Sequence, residues 1–110
     1  MQYALLIYNP DDDVAQQAQR PIDPSIAAVL ARPEVTGWIR LHAVGSATTV
    51  QHQDGATLLT DGPFIEAKEV LAGYSLLETA SVDEAVEVAR TWPGVDRGWI
   101  TMEIRPVMAQ

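Results

Sequence analysis

VLAGYSLLE (residues 70–78), TASVDEAVEVARTWPG (79–94) and VDRGWITMEIRPV (95–107) run on without interruption, and their reading decides the fold. The first block reads as a strand. In the second, Ser81 followed by Glu84 has capping-box spacing, and Val82, Ala85, Val86, Ala89 and Trp92 recur at helical spacing. Pro93-Gly94 stops the helix. From about Trp99 to Val107 the pattern has period two. Ile100, Met102 and Ile104 share one face, and Thr101, Glu103 and Arg105 share the other. The stretch is strand, helix, strand.

Working outward, residues 47–52 and 56–60 predict a hairpin across Gln53-Asp54-Gly55, because Asp-Gly between two Thr- and Leu-bearing runs is a strong turn signal. Asp61-Gly62-Pro63 then redirects the chain. Residues 37–44 predict a strand, and residues 2–8, apolar on both alternating faces, predict a central strand covered on both sides. Asn9-Pro10 breaks it. Residues 11–36 hold Pro21, Pro24 and Pro33, which forbid one long helix. Short helices near 12–19 and 24–32 fit better, the first favoured by Asp11, Asp12 and Asp13 at its positive end. The expected architecture is a single α+β domain over residues 1–110, with the split β-α-β order of a ferredoxin-like sandwich. One sheet face carries the helices. The other is left open, and its natural cover is a second copy of itself, giving a homodimeric α+β barrel.

Composition narrows the function classes. Hydrophobic residues make up 47% of the chain and charged residues 20%, an ordinary globular balance. The net charge of −8 repels phosphate backbones and anionic lipid, and seven Lys and Arg form no basic patch. Nucleic acid and membrane surfaces are therefore not expected partners. The chain has no Cys, so disulfides, thiol catalysis and Cys-ligated metals are out, in keeping with a reducing cytoplasm. Met1 to Tyr8 is too short and lacks the basic lead-in of a signal peptide. Two isolated His residues make no zinc site. With no Gly-rich phosphate loop either, no cofactor is expected.

The segment Thr60-Asp61-Gly62-Pro63-Phe64-Ile65-Glu66-Ala67-Lys68-Glu69 resembles the motif of the YCII-related (DGPF-domain) family. Ala47-Thr48-Thr49-Val50 precedes it, Leu71-Ala72-Gly73-Tyr74 and an acidic helix follow, and Glu103-Ile104-Arg105-Pro106-Val107 closes the series. The blocks stand in the family's order over residues 1–9 and 40–108. The resemblance implies a ferredoxin-like fold that dimerises through its sheets, with a cleft between sheet and helices for a small-molecule ligand. Among distant relatives are small lactone isomerases and dehydrochlorinases, in which a His and an acidic residue do proton-transfer chemistry. Other members are encoded beside sigma factors, which implies a regulatory protein partner instead. The three prolines of residues 10–36 depart from the family's one long helix.

The candidate residues each carry two readings. Asp61 forms a turn by accepting backbone amides two residues on, or aims a carboxylate into the cleft. His42 is an ordinary strand histidine, or a general acid/base titrating near neutrality. His52, beside the hairpin turn, is exposed. Phe64 is expected to plug the core. Lys68 and Glu66 pair on the surface, or Lys68 or Glu69 lines the cleft mouth. Glu103 and Arg105 pair across a dimer, or Arg105 anchors a substrate carboxylate. Tyr8 and Tyr74 pack, or lend hydroxyls to the same space. The leading expectation is a cofactor-independent enzyme doing isomerisation or elimination, with His42 and Asp61 catalytic. The rival is a non-catalytic dimeric binding module.

Overall fold

A computed structural model describes residues 1–109. The elements are β1 (Gln2–Pro10), α1 (Asp11–Gln17), α2 (Ile26–Leu30), β2 (Val35–Arg40), β3 (Thr48–Gln53), β4 (Ala56–Asp61), β5 (Glu69–Glu78), α3 (Val82–Arg90) and β6 (Thr101–Pro106), with a 3-10 turn at Val44–Ser46. Four strands form an antiparallel sheet in the order β2-β5-β1-β6, and β3 and β4 form a separate two-stranded ribbon. β5 lies between β1 and β2, and β1 between β5 and β6. Both helical connections are thus split β-α-β units. The molecule is a mixed α+β structure with a mainly antiparallel sheet, compatible with a ferredoxin-like fold. Among the described residues no helix is long and apolar enough to cross a membrane.

Alternation decides the two faces of the sheet. Tyr3, Leu5 and Ile7 of β1 are buried, with Leu77 opposite Tyr3 on β5. They meet Ile26 and Val29 of α2 and Ala85, Val88 and Ala89 of α3 in one core, with Trp92 just beyond α3. Met102 and Ile104 reach the same core from β6. Fully burying a Leu, Ile or Phe side chain contributes about 1.5–3 kcal/mol, so this layer carries most of the fold's stability. On the opposite face β1 presents Ala4, Leu6 and Tyr8, only half-buried. The central strand is thus packed on one side, where cover on both was expected.

The helices follow their local chemistry. At α3 the Ser81 hydroxyl accepts the Glu84 amide at 3.3 Å, and the Glu84 carboxylate accepts the Ala80 amide at 3.0 Å. The box closes one residue earlier than its ideal form. Ala85, Val88, Ala89 and Trp92 make the buried stripe, and Val82, at the helix start, is exposed. Between α1 and α2 the Asp23 carboxylate accepts both the backbone amide and the hydroxyl of Ser25, at 2.9 and 2.8 Å. That turn fixes the break that Pro21 and Pro24 require.

The ribbon turns at Asp54 (φ 50°) and Gly55 (φ 78°), as Asp-Gly predicts. All six residues of β4 are exposed, and both ribbon strands hardly touch other elements. Phe64, expected in the core, is 68% exposed. It lies in the irregular segment between ribbon and β5, where no layer stands over it. At the motif Gly62 adopts φ 102°, a conformation that favours Gly. Its amide donates to Ala47 at 2.7 Å, and its carbonyl accepts the Thr49 hydroxyl at 2.8 Å.

Candidate functional site

The helix side of the sheet is hollow where α1 and the 18–25 turn stand off from it. A cavity of about 650 Å³ lies there, floored by Ile7, Ala72 and Gly73, within the size range of small-molecule sites. Gly73 matters for the floor. A Cβ there would lie 2.4 Å from the Ile39 carbonyl oxygen, so β2 reaches β5 closely only because no side chain intervenes. A second hollow of about 340 Å³ adjoins it, and the two share Gln17, Trp38 and Arg40.

Arg40 stands at the end of β2, in register with Gly73, and its guanidinium sits 5.8 Å from the Trp38 ring centroid. Trp38 is held edge-on by Trp92 at 6.4 Å. Asn9 is buried at 3% exposure, and its amide nitrogen donates to the Trp99 carbonyl at 3.3 Å. That bond ties the 94–100 loop to β1. The 94–100 loop carries Trp99 into the wall, with Arg97 4.9 Å from its ring centroid. Asp13 and Arg20 line the wall from the helical side, and Arg20 donates to the Gln16 side chain at 2.8 Å. Asp23, also on the wall, has its carboxyl held below the usual value first by the Ser25 amide, then by the Ser25 hydroxyl, with Arg97 adding to the effect.

The sequence candidates divide among three places. His42 lines the smaller hollow with Gln17 and Arg40. It lies just past β2, not in the expected strand, because strand pairing ends with the Leu41 amide donating to Ala72 at 2.7 Å. Asp11, at the start of α1, accepts the Val44 amide at 2.9 Å and holds this segment against the helix. Glu103 and Arg105 lie on the opposite face of the sheet, with Tyr8 and Tyr74. There Leu6 stands between Tyr74 and Glu103, and Ala4 is paired with Arg105. Asp61 ends the ribbon, and Lys68, Glu66 and Glu69 follow it, all exposed. Asp61 accepts no hydrogen bond within the described residues. The turn is fixed by Gly62 and Thr49.

The structure therefore separates His42 from the other candidates and sets it beside Trp38 and Arg40, while the adjoining larger cavity is lined by Asn9, Asp13, Arg20 and Trp99, all residues that motif reading passed over. A signal for Arg40 existed, since it shares a strand face with position 42. None existed for Asp13 or Arg20, whose placement depends on how the proline-broken segment folds back. Among the described residues no three His, Asp or Glu side chains gather as metal ligands.

A family model described as YCII-related domain matches residues 1–109. An uncharacterized protein of Rhizobium meliloti (strain 1021) is 34% identical over 115 aligned residues, covering 97% of this chain and 92% of that protein.

Proposed function

The chain belongs to the YCII-related domain family, and from that premise we propose that it is a homodimeric, cofactor-independent enzyme moving a proton on a small organic molecule. The observation that carries this reading is the pair of adjoining cavities that share Arg40, the smaller lined by His42 and the larger by Asp13 over an apolar floor. An imidazole suits proton abstraction beside a carbonyl. The C–H pair moves to the carbonyl oxygen as an enolate, which the Arg40 charge stabilises. The proton then returns at a neighbouring carbon, or a leaving group departs with the electron pair. Asp13, on the wall of the larger cavity, is the acidic partner in this scheme. Asp61 lies on neither cavity wall of one chain.

The ferredoxin-like reading of the sheet and its open face support the dimer. Across four strands the row Ile39, Tyr74, Leu6, Glu103 presents an apolar centre with a charged edge, which a second copy covers by placing its own open face against it. The same surface favours the rival reading, a regulatory module that docks another protein. Val50 and Leu59 of the ribbon and Phe64 and Ile65 just after it, each more than 60% exposed, add further apolar surface for such a partner.

Proton exchange tests the enzyme reading. Small lactones and 2-hydroxy acids incubated in D₂O should lose α-proton NMR signal with the wild-type protein. His42→Ala should abolish this and leave the unfolding midpoint unchanged, since His42 is exposed. Exchange that survives His42→Ala, or none across the panel, sinks the acid/base role.

A further inference from the structure

We propose that the larger cavity receives a ring-bearing hydroxycarboxylate. Its carboxylate lies on Arg40 and Arg20, its ring between Trp38 and Trp99, and its hydroxyl donates to Asn9. This deepens the reading of the cleft as a small-molecule site and rests on it.

Three observations converge. The first is charge. The chain has fifteen acidic and seven basic residues, yet among the described residues neither Arg40 nor Arg20 forms an ion pair. Both line one cavity. A guanidinium presents paired donors that match a carboxylate bidentately. The distant field of the protein repels anions, so binding depends on these two groups.

The second is the buried acceptor. Asn9 donates one amide hydrogen to the Trp99 carbonyl, which fixes which end of the side chain is oxygen. That oxygen takes no hydrogen bond from the protein. No side-chain oxygen wholly shut off from solvent lacks a partner among the described residues, so the Asn9 oxygen is reached through the cavity it lines. It calls for a ligand donor, an O–H, and a carboxylate cannot supply one. Arg40 and Asn9 lie two strands apart, about 10 Å across the sheet, so one small molecule must present both groups at opposite ends of a rigid body.

The third is the walls. Trp38 and Trp99 both line the cavity, and indole rings are surfaces on which a planar ring packs. The Gly73 floor leaves depth for it.

4-Hydroxyphenylacetate, its uncharged amide and phenylacetate, which lacks the hydroxyl, separate these contributions by calorimetric titration of the intact protein. 4-Hydroxyphenylacetate, whose hydroxyl and carboxylate stand at opposite ends of the ring, should bind most tightly. The amide and phenylacetate should each bind about tenfold or more weakly. Arg40→Gln should weaken 4-hydroxyphenylacetate by about ten- to a hundredfold and leave the amide unchanged. Arg40 is exposed, so this variant should fold, and Arg20→Gln gives a second reading if it does not. Equal binding of acid and amide, or no binding by any of the three, overturns the proposal. 4-Hydroxyphenylacetate bound without proton exchange leaves the proposal standing and sinks the enzyme reading instead. Exchange on lactones without 4-hydroxyphenylacetate binding does the reverse.

Discussion

The four-stranded sheet and the β3–β4 ribbon are made of similar strands, yet only the sheet has an inside. Along β1 burial alternates, with Tyr3, Leu5, Ile7 and Asn9 closed in. Along β4 Leu58 and Leu59 are both exposed, the second at 72%. The ribbon pushes the radius of gyration to 15.8 Å, where a compact chain of this length has about 13 Å. A strand's apolar residues become core only where a second layer stands over them. A lone two-stranded ribbon in water is marginally stable, so the arm's order draws on its closed base at Gly62 and on whatever covers it.

The widest gap between the regions lies in their leucines. Leu5→Ala, at 0% exposure, should cost about 2–5 kcal/mol in urea unfolding. Leu59→Ala should stay within about 0.5 kcal/mol in dilute protein. The proposed dimer, were it to extend over the arm, predicts that Leu59→Ala also lowers the dimer population in sedimentation equilibrium. A large loss from Leu59→Ala in dilute protein would break the comparison, because it would place the ribbon inside a core.

Glycines sharpen the same contrast at smaller scale. Gly73→Ala forces a Cβ to within 2.4 Å of the Ile39 carbonyl oxygen. Backbone cannot yield as a side-chain tip does, so the substitution should cost about 1–3 kcal/mol. Gly45→Ala, near the ribbon's base, meets nothing within 4 Å and should stay within about 0.5 kcal/mol. Thermal unfolding of both variants separates them. Equal effects would mean that β2 and β5 pair more loosely than their register implies.

Much of the body was legible because its signals are local and periodic. Ser81 and Glu84 cap α3, Ile100, Met102 and Ile104 alternate inward, and Asp54-Gly55 turns the ribbon. Val88 was missed in favour of Val82 because helical spacing alone does not say which end of an apolar stripe overhangs the sheet. Phe64 misled because hydrophobicity reports preference for burial, not the presence of a covering layer. The cleft was the least legible part. Its arginines and tryptophans come from β2, the proline-broken segment and the loop before β6, which meet only after folding. His42 was singled out by its side-chain chemistry alone, and its segment is held in place by Asp11 accepting the Val44 amide, a contact no spacing encodes.

The proline-broken segment supplies the smallest effect and a third way of ordering chain, by local hydrogen bonds in place of burial. Asp23 is fully exposed, and the Ser25 amide and hydroxyl, with Arg97, favour its charged form and lower its folded-state pKa. The unfolded chain lacks these bonds, so it binds a proton more readily. The turn's contribution is therefore fully present above the ordinary Asp value of 3.8, and is lost as pH falls below it through the folded pKa. Carboxyl NMR titration should place the Asp23 midpoint below 3.8, and Ser25→Ala should move it back up. Because Asp23 stands on the cavity wall, acid should loosen the cleft before it loosens the core, seen as earlier loss of amide protection in residues 18–25 than in β1. If the two regions lose protection together, the segment is held by the core after all, and the distinction between locally ordered and buried chain fails there.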